Sequence, residues 1–362
     1  MNARAERVQR LLALARRLAD PGDALGQEAR RALLATSGLS PEGVDLALGH
    51  HLETSADQVD LDSLLAWAGD APRGWVVLSA NVCTAPLRAT ALGLAASASL
   101  RLRPSRRDPA LTTLLARELA AQGLDVALVA TLDAQPGDHV HAYGSDETLA
   151  QIASSLRAGV IFRGHGTGLG VAWIGAGADL DEAAQALAED LVPFDQRGCL
   201  SPRAALIDGD ASRATAFASV IHRVLIDHGA RVPRGPLDPD TLASLALYRA
   251  SVDALGATFT GPHHLIGLDL SPRALLLPPA ARALHLVPCA PSAVAALLAP
   301  WAAHLTTVGA IGGDAPLAPL RALTPGARFT ALGRMQRPPL DGPVDRREPR
   351  ASPLSPAPRA PP

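Results

Sequence analysis

From residue 75 onward, short apolar runs alternate with longer helical stretches, and this alternation constrains the fold more than any other feature of the chain. The pattern predicts strands over 75–79, 99–103, 125–131, 140–143, 159–162 and 171–174, with helices over 84–96, 108–122, 145–157 and 180–192. After residue 200 it resumes, with strands over 204–207, 285–287 and 305–311 and helices over 212–228 and 292–304. Strands that each lead into a helix must run mostly parallel, with helices covering both faces of the sheet, so the expected class is α/β. Residues 1–72 read as helical, punctuated at Pro21-Gly22 and Pro41.

A chain of 362 residues exceeds one ordinary domain and suggests two, each able to bury a core. The expected division is 1–72 as a helical region on the first domain, 73–178 and 179–334 as two α/β domains, and 335–362 as a tail. That tail is rich in Pro and Arg and is expected to be disordered. A net charge of −2 and 3% aromatic residues give no platform for nucleic acid, and none is expected as a partner. All 33 basic residues are arginine, which excludes chemistry needing a lysine amine, such as Schiff-base formation or the P-loop. Cys83, Cys199 and Cys289 are too far apart for a Cys-x-x-Cys metal or redox site. The first apolar run is short and broken by Arg16 and Arg17, and no run reaches the ~18–20 residues of a membrane span. A soluble cytoplasmic protein is therefore expected.

Gly164-His165-Gly166-Thr167-Gly168-Leu169-Gly170 invites a dinucleotide-binding reading. That fingerprint requires the glycines to open onto a helix, whereas here they run into the strand-like Val171-Ala172-Trp173-Ile174. The glycines are expected instead to let the backbone pass close to a ligand or another segment. Cys199 lies on a turn between a helix and a strand, where backbone N–H groups can lower a thiol pKa or hold an oxyanion. A small buried hydrophobe is the competing reading, and it is the expected role of Cys83 and Cys289. Asn81 follows a strand as a helix cap or as an oxyanion donor. Arg101 to Arg107 close a strand either as a solvated face or as a phosphate site at a sheet edge. His165 beside glycines reads as structural or as a proton-transfer aid.

In order along the chain come Ser79-Ala80-Asn81-Val82, Leu102-Arg103-Pro104-Ser105 and Tyr143-Gly144-Ser145-Asp146-Glu147-Thr148. Gly164-His165-Gly166, Asp195-Gln196-Arg197-Gly198-Cys199-Leu200-Ser201-Pro202 and Leu332-Gly333-Arg334-Met335-Gln336-Arg337-Pro338-Pro339 follow. This series resembles the aldehyde dehydrogenase superfamily, and within it the long-chain acyl-CoA reductases of the LuxC type, over about 70–335. The resemblance implies an aldehyde dehydrogenase-like fold, two α/β domains with largely parallel sheets and the active site between them. It also implies NAD(P)H-dependent reduction of a long-chain acyl-CoA to the aldehyde through an acyl-cysteine thioester. Cys199 matches the nucleophile and Asn81 the oxyanion amide, while Arg103, Ser105, Arg106, Gly144 and Ser145 match cofactor contacts. Arg106 stands where a carboxylate often holds the ribose, which favours NADPH, with NADH as the alternative.

Two departures concern the active site and the chain start. The place of the usual glutamate base is taken by the surroundings of Arg163, which would protect an acyl enzyme from water. Cys83 falls where relatives tend to have Pro, and the N-terminal region is short. An acyl-CoA substrate is implied, with room for a homo-oligomer or a fatty-acid-supplying partner enzyme. Reduction of another activated acyl group, such as an acyl phosphate, and a non-catalytic acyl-CoA- or nucleotide-binding homologue are the alternatives.

Overall fold

The computed structural model describes residues 2–347. Four helices open the chain: α1 (Ala3–Ala19), α2 (Ala24–Thr36), α3 (Pro41–His50) and α4 (Gln58–Ala68). Each is capped by a side chain, Asn2, Asp23, Ser40 and Asp57 in turn, accepting a first-turn N–H. One stripe of α1 (Val8, Leu11, Leu12, Ala15, Leu18) is fully buried, and such leucines contribute ~1.5–3 kcal/mol each. These helices share a single core with the helices of the first sheet.

That sheet is built from β1 (Gly74–Val77), α5 (Ala85–Ala96), β2 (Ser99–Arg103), α6 (Ala110–Ala121) and β3 (Asp125–Leu128). It is completed by β4 (His139–Tyr143), α7 (Asp146–Ser155) and β5 (Ile161–His165). The order is β3-β2-β1-β4-β5, parallel throughout. The chain winds outward through β2 and β3, then returns to the other side of β1. The C-terminal ends of β1 and β4 therefore flank a topological switch point, where open parallel sheets bind ligands.

The second sheet begins with β6 (Leu169–Ile174), α8 (Leu180–Leu191), β7 (Pro202–Ile207), α9 (Ala211–Arg231) and α10 (Pro239–Asp253). It continues with β8 (Gly256–Gly261), β9 (His264–Asp269), β10 (Ala283–Pro288) and α11 (Val294–Leu298). It ends with β11 (Leu305–Ile311), α12 (Ala318–Leu323) and β12 (Arg328–Ala331). The order is β12-β11-β6-β7-β10-β9-β8, parallel except for the β8–β9 hairpin. Separate apolar clusters cover its two faces, one under α8 and α9 and one under α11 and α12.

Two expectations need correction. The boundary between the sheets falls at 166–168 and not at 178, because β6 pairs with β7 and β11. Three residues thus carry the chain from the C-terminal edge of the first sheet to the N-terminal edge of the second. The disorder expected from 335 does not hold for 335–347. Met335 and Leu340 are buried, and arginines hold the carbonyls of this segment. Prolines add no N–H groups that need acceptors, so guanidinium donors are enough to fix such a strap. Residues 348–362 lie outside the described residues.

Candidate active site

The two facing sheet edges enclose a cleft of about 630 Å³, lined among others by Asn81, Tyr143, His165, Cys199, Arg203 and Asp345. The approach to Cys199 is an unusual piece of backbone. Phe194, Asp195 and Gln196 are all left-handed, with φ of 55°, 52° and 64°. Non-glycine residues in that region cost ~1–3 kcal/mol each and persist only where their surroundings dictate them. Here the Asp195 carboxylate pairs with Arg282 at 2.7 Å, both almost fully buried, and accepts the Gly235 N–H at 3.0 Å. Gln196 donates to the carbonyls of Pro202 (2.7 Å) and Ala283 (2.6 Å) and accepts from the N–H groups of Ala281 and Ala283. The Asp-Gln pair of the motif is therefore a clamp that sets the turn carrying Cys199. It does not reach into the cleft as a reactive group.

Cys199 is half-buried, whereas Cys83 and Cys289 are buried, and all three are free thiols. The Thr306 hydroxyl donates to the Cys199 carbonyl. Gly198 passes against Val82, and a Cβ at Gly168 would lie 3.1 Å from that of Cys199 and collide with Thr306. The crossover glycines thus do what was expected of them, letting the backbone pass close to other segments. Burial, and after it the carboxylate of Asp345, push the Cys199 thiol up to about 11, while Arg347 opposes the shift. Cys83 is raised further, to about 12, by burial.

Asn81 is exposed on the loop after β1 and lines the same cleft as Cys199. Arg103 is half-buried at the end of β2, and Arg106 is exposed beyond it. Both line a second cleft of about 850 Å³, which meets the first at Leu78, Ser105, Tyr143 and Thr148. Gly144 and Ser145 stand on the first cleft, where α7 begins. The Ser145 hydroxyl is engaged as N-cap, accepting the Thr148 N–H at 3.3 Å. Asp146, in the first turn, accepts the Thr167 N–H at 3.0 Å and so helps fix the crossover. Arg101 points away from the clefts and pairs with Asp125 at 2.9 Å.

Two groups with no sequence signal, His51 and Asp345, join His165 in the cleft. His165 is buried against Tyr143 (ring centroids 4.5 Å apart) and contacts His141 at 3.2 Å between ring nitrogens. Burial lowers it to about 4, so it is neutral near pH 7. His51, from the N-terminal region, meets the Phe194 ring edge-on and is likewise lowered to about 4 by burial. Arg163 donates to the Trp67 carbonyl at 2.7 Å and stacks over that ring, so it serves the helical region. A carboxylate does reach the site, but from the strap. Asp345 is gripped by Arg347 through both oxygens at 2.7 Å, and Arg347 is tied to the carbonyls of Thr167 and Ala303. So engaged, Asp345 contributes negative charge beside Cys199. No signal in the local sequence marks it, because it is brought there by Arg88 and Arg328, which bind the strap elsewhere.

Residues 60–343 match the family described as acyl-CoA reductase (LuxC). The chain belongs to this family. Solved structures with the same fold include a NAD-dependent benzaldehyde dehydrogenase from Corynebacterium glutamicum. It is 16% identical, with a TM-score of 0.67, covering 92% of this chain and 80% of that one. A methylmalonate-semialdehyde dehydrogenase from Oceanimonas doudoroffii is 15% identical with a TM-score of 0.69, covering 93% and 79%. Lactaldehyde dehydrogenase from Escherichia coli is 14% identical with a TM-score of 0.65, covering 91% and 78%. At such identities the likeness shows the aldehyde dehydrogenase fold alone, so the activity rests on the family. No curated protein matches the chain. Acyl-CoA reductase family membership on this fold makes the protein an oxidoreductase acting on an acyl or aldehyde group. Among the described residues no helix is long and apolar enough to cross a membrane, and no cluster of side chains suits a metal.

Proposed function

We propose that the protein reduces an acyl-CoA to the aldehyde through a thioester on Cys199, with NADPH as hydride donor. The observation that carries this reading is the position of Cys199. It is the one cysteine of the three that is not fully buried, held on a clamped turn where the two sheet edges meet. The joined clefts suit a nicotinamide dinucleotide along the switch point. Arg103, Ser105 and Arg106 border the end proposed for the adenosine, and Gly144 and Ser145 stand at a helix N-terminus. With arginines there and no acid in 103–107, a 2′-phosphate fits better than a bare ribose, which favours NADPH over NADH.

In this mechanism the Cys199 sulfur attacks the acyl carbonyl, and the new C–S bond leaves an oxyanion. The Asn81 amide and the Cys199 N–H oppose that charge. The carbonyl reforms as the bond to the CoA sulfur breaks, and CoA leaves with the proton given up by Cys199. Bound NADPH supplies the hydride that reduces the thioester carbonyl. Asn81 and the Cys199 N–H hold the second oxyanion, the C–S bond breaks to release the aldehyde, and the Cys199 thiolate takes a proton from solvent to restore the thiol. The pairing of Asp345 with Arg347 counts against that carboxylate as the base that would activate water at the thioester.

The test combines intact-mass detection of an acyl adduct with NADPH consumption measured on acyl-CoA. A single adduct mapping to Cys199, and loss of both signals in Cys199→Ala, are expected. Aldehyde formation that persists in Cys199→Ala overturns the mechanism. NADPH binding without turnover on acyl-CoA or acyl phosphate would make the protein a binding homologue, and turnover on acyl phosphate alone would reassign the donor.

A further inference from the structure

Arginines buried in this protein are consistently paired. Arg88 meets Glu53 at 2.8 Å, Arg282 meets Asp195, Arg328 meets Asp341 and Arg347 meets Asp345. Arg213 and Arg234 have carbonyls as acceptors. Arg203, half-buried on the cleft, differs from these. Its Nε is buried without a hydrogen-bond partner, as are those of Arg213 and Arg282, but among the described residues its terminal nitrogens, unlike theirs, meet no carboxylate or carbonyl. Burial draws its pKa down to about 10, opposed by the neighbouring Tyr248.

The backbone directs this side chain. Pro202 pairs with Gly170 and Ala204 with Val171, so Arg203 is the extra residue of a bulge at the start of β7. Bulges re-aim side chains and gather beside active sites. The bulge lies four residues after Cys199, and Arg203 lines the same cleft. An unpaired guanidinium in a half-enclosed cleft is costly unless a ligand supplies the missing charge, and its planar fork suits a carboxylate or phosphate.

We infer that Arg203 is an oxyanion-reading residue of the acyl cleft, so that the preferred acyl donor carries a negative group within its reach. This rests on the reductase reading above. The group is either a carboxylate at the far end of a short acyl chain or a phosphate of the carrier thiol. In both cases a plain hydrocarbon chain leaves Arg203 unsatisfied.

The experiment compares kcat/KM for succinyl-CoA and butyryl-CoA, and for the same acyl groups on N-acetylcysteamine, which has no phosphate. Wild type, Arg203→Gln and Arg203→Lys are measured. For an acyl carboxylate, wild type prefers succinyl donors by about tenfold or more on either carrier; Arg203→Gln removes the preference and Arg203→Lys keeps part of it. For a carrier phosphate, Arg203→Gln weakens both CoA donors alike and spares both N-acetylcysteamine donors.

A second readout does not depend on turnover: the rate of Cys199 alkylation by anionic iodoacetate relative to neutral iodoacetamide. This ratio is expected to fall several-fold in Arg203→Gln. If the ratio falls but no donor is reduced, the reductase reading fails and the oxyanion site stands. If donors are reduced but neither preference nor ratio depends on Arg203, the site is overturned and the reductase stands. Should Arg203→Gln fail to fold, a wild type without preference for succinyl over butyryl donors and without preference for CoA over N-acetylcysteamine overturns the proposal on its own.

Discussion

The charge pair on the strap should move the reactivity of Cys199 in opposite directions depending on which partner is removed. With the thiol at about 11, only about one molecule in a thousand carries a thiolate at pH 8, since each pH unit below the pKa costs tenfold. Asp345 is second to burial among the causes of that value, and Arg347 acts against it. Asp345→Asn removes the raising charge and also leaves Arg347 unopposed, so both changes favour the thiolate. Iodoacetamide labelling of Cys199 at pH 8 should then accelerate on the order of tenfold, and its pH midpoint should fall by about one unit. Arg347→Gln leaves the carboxylate unneutralised and should slow labelling, with the midpoint moving up. Neither variant disturbs the strap's anchors at Arg88 and Arg328, so the fold around the turn is retained. The assay is pseudo-first-order labelling from pH 6 to 10, with peptide mapping to exclude Cys83 and Cys289. If both variants accelerate labelling alike, the strap is acting as a physical cover and the electrostatic account is wrong.

Two further outcomes follow from the same contacts. Arg88→Ala removes four hydrogen bonds and strands the Glu53 carboxylate, a loss on the order of 3–5 kcal/mol for a buried pair. Limited proteolysis should then cut within 338–347, while a wild-type cleavage pattern would show that the strap is held by other contacts. His165, lowered to about 4 from an ordinary value near 6.5, binds fewer protons folded than unfolded between those limits. Its contribution to stability is therefore full above pH 6.5 and is lost as the pH falls toward 4. Compared with wild type, His165→Asn should flatten the decline of the unfolding free energy from urea titrations over that range by up to about 3 kcal/mol, and an unchanged slope would rule this residue out.

Hydrophobic period was enough to locate most strands and helices of the first sheet, because a parallel α/β unit writes its elements as separate runs. It failed where partners were needed to interpret a run. The segment 169–174 reads as a strand in either sheet, and only its pairing with β7 and β11 assigns it to the second. The β8–β9 hairpin and α10 fall outside the runs that period alone picks out, although Asp238 followed by Pro239 is a helix start that the sequence displays. The tail's composition suggested disorder because composition counts what a segment can bury itself. It does not count the guanidinium groups that other segments bring to its carbonyls.

For the site, the motif around Cys199 and its order among the others were legible in the chain, since the thiol and the turn that presents it are contiguous. The Asp-Gln pair was legible too, but as letters. That it is a buried clamp for three left-handed residues depends on Arg282, Gly235 and Ala283, far along the sequence. What the sequence determined by itself was therefore the α/β class, the family and which thiol to propose as the nucleophile. The tertiary structure decided which charges surround that thiol. Asp345 and Arg347 arrive on a strap fixed by distant arginines, and Arg203 is aimed by a bulge that exists only in the pairing of β6 with β7. Electrostatic environment is a sum over neighbours in space, and no spacing along a chain encodes it.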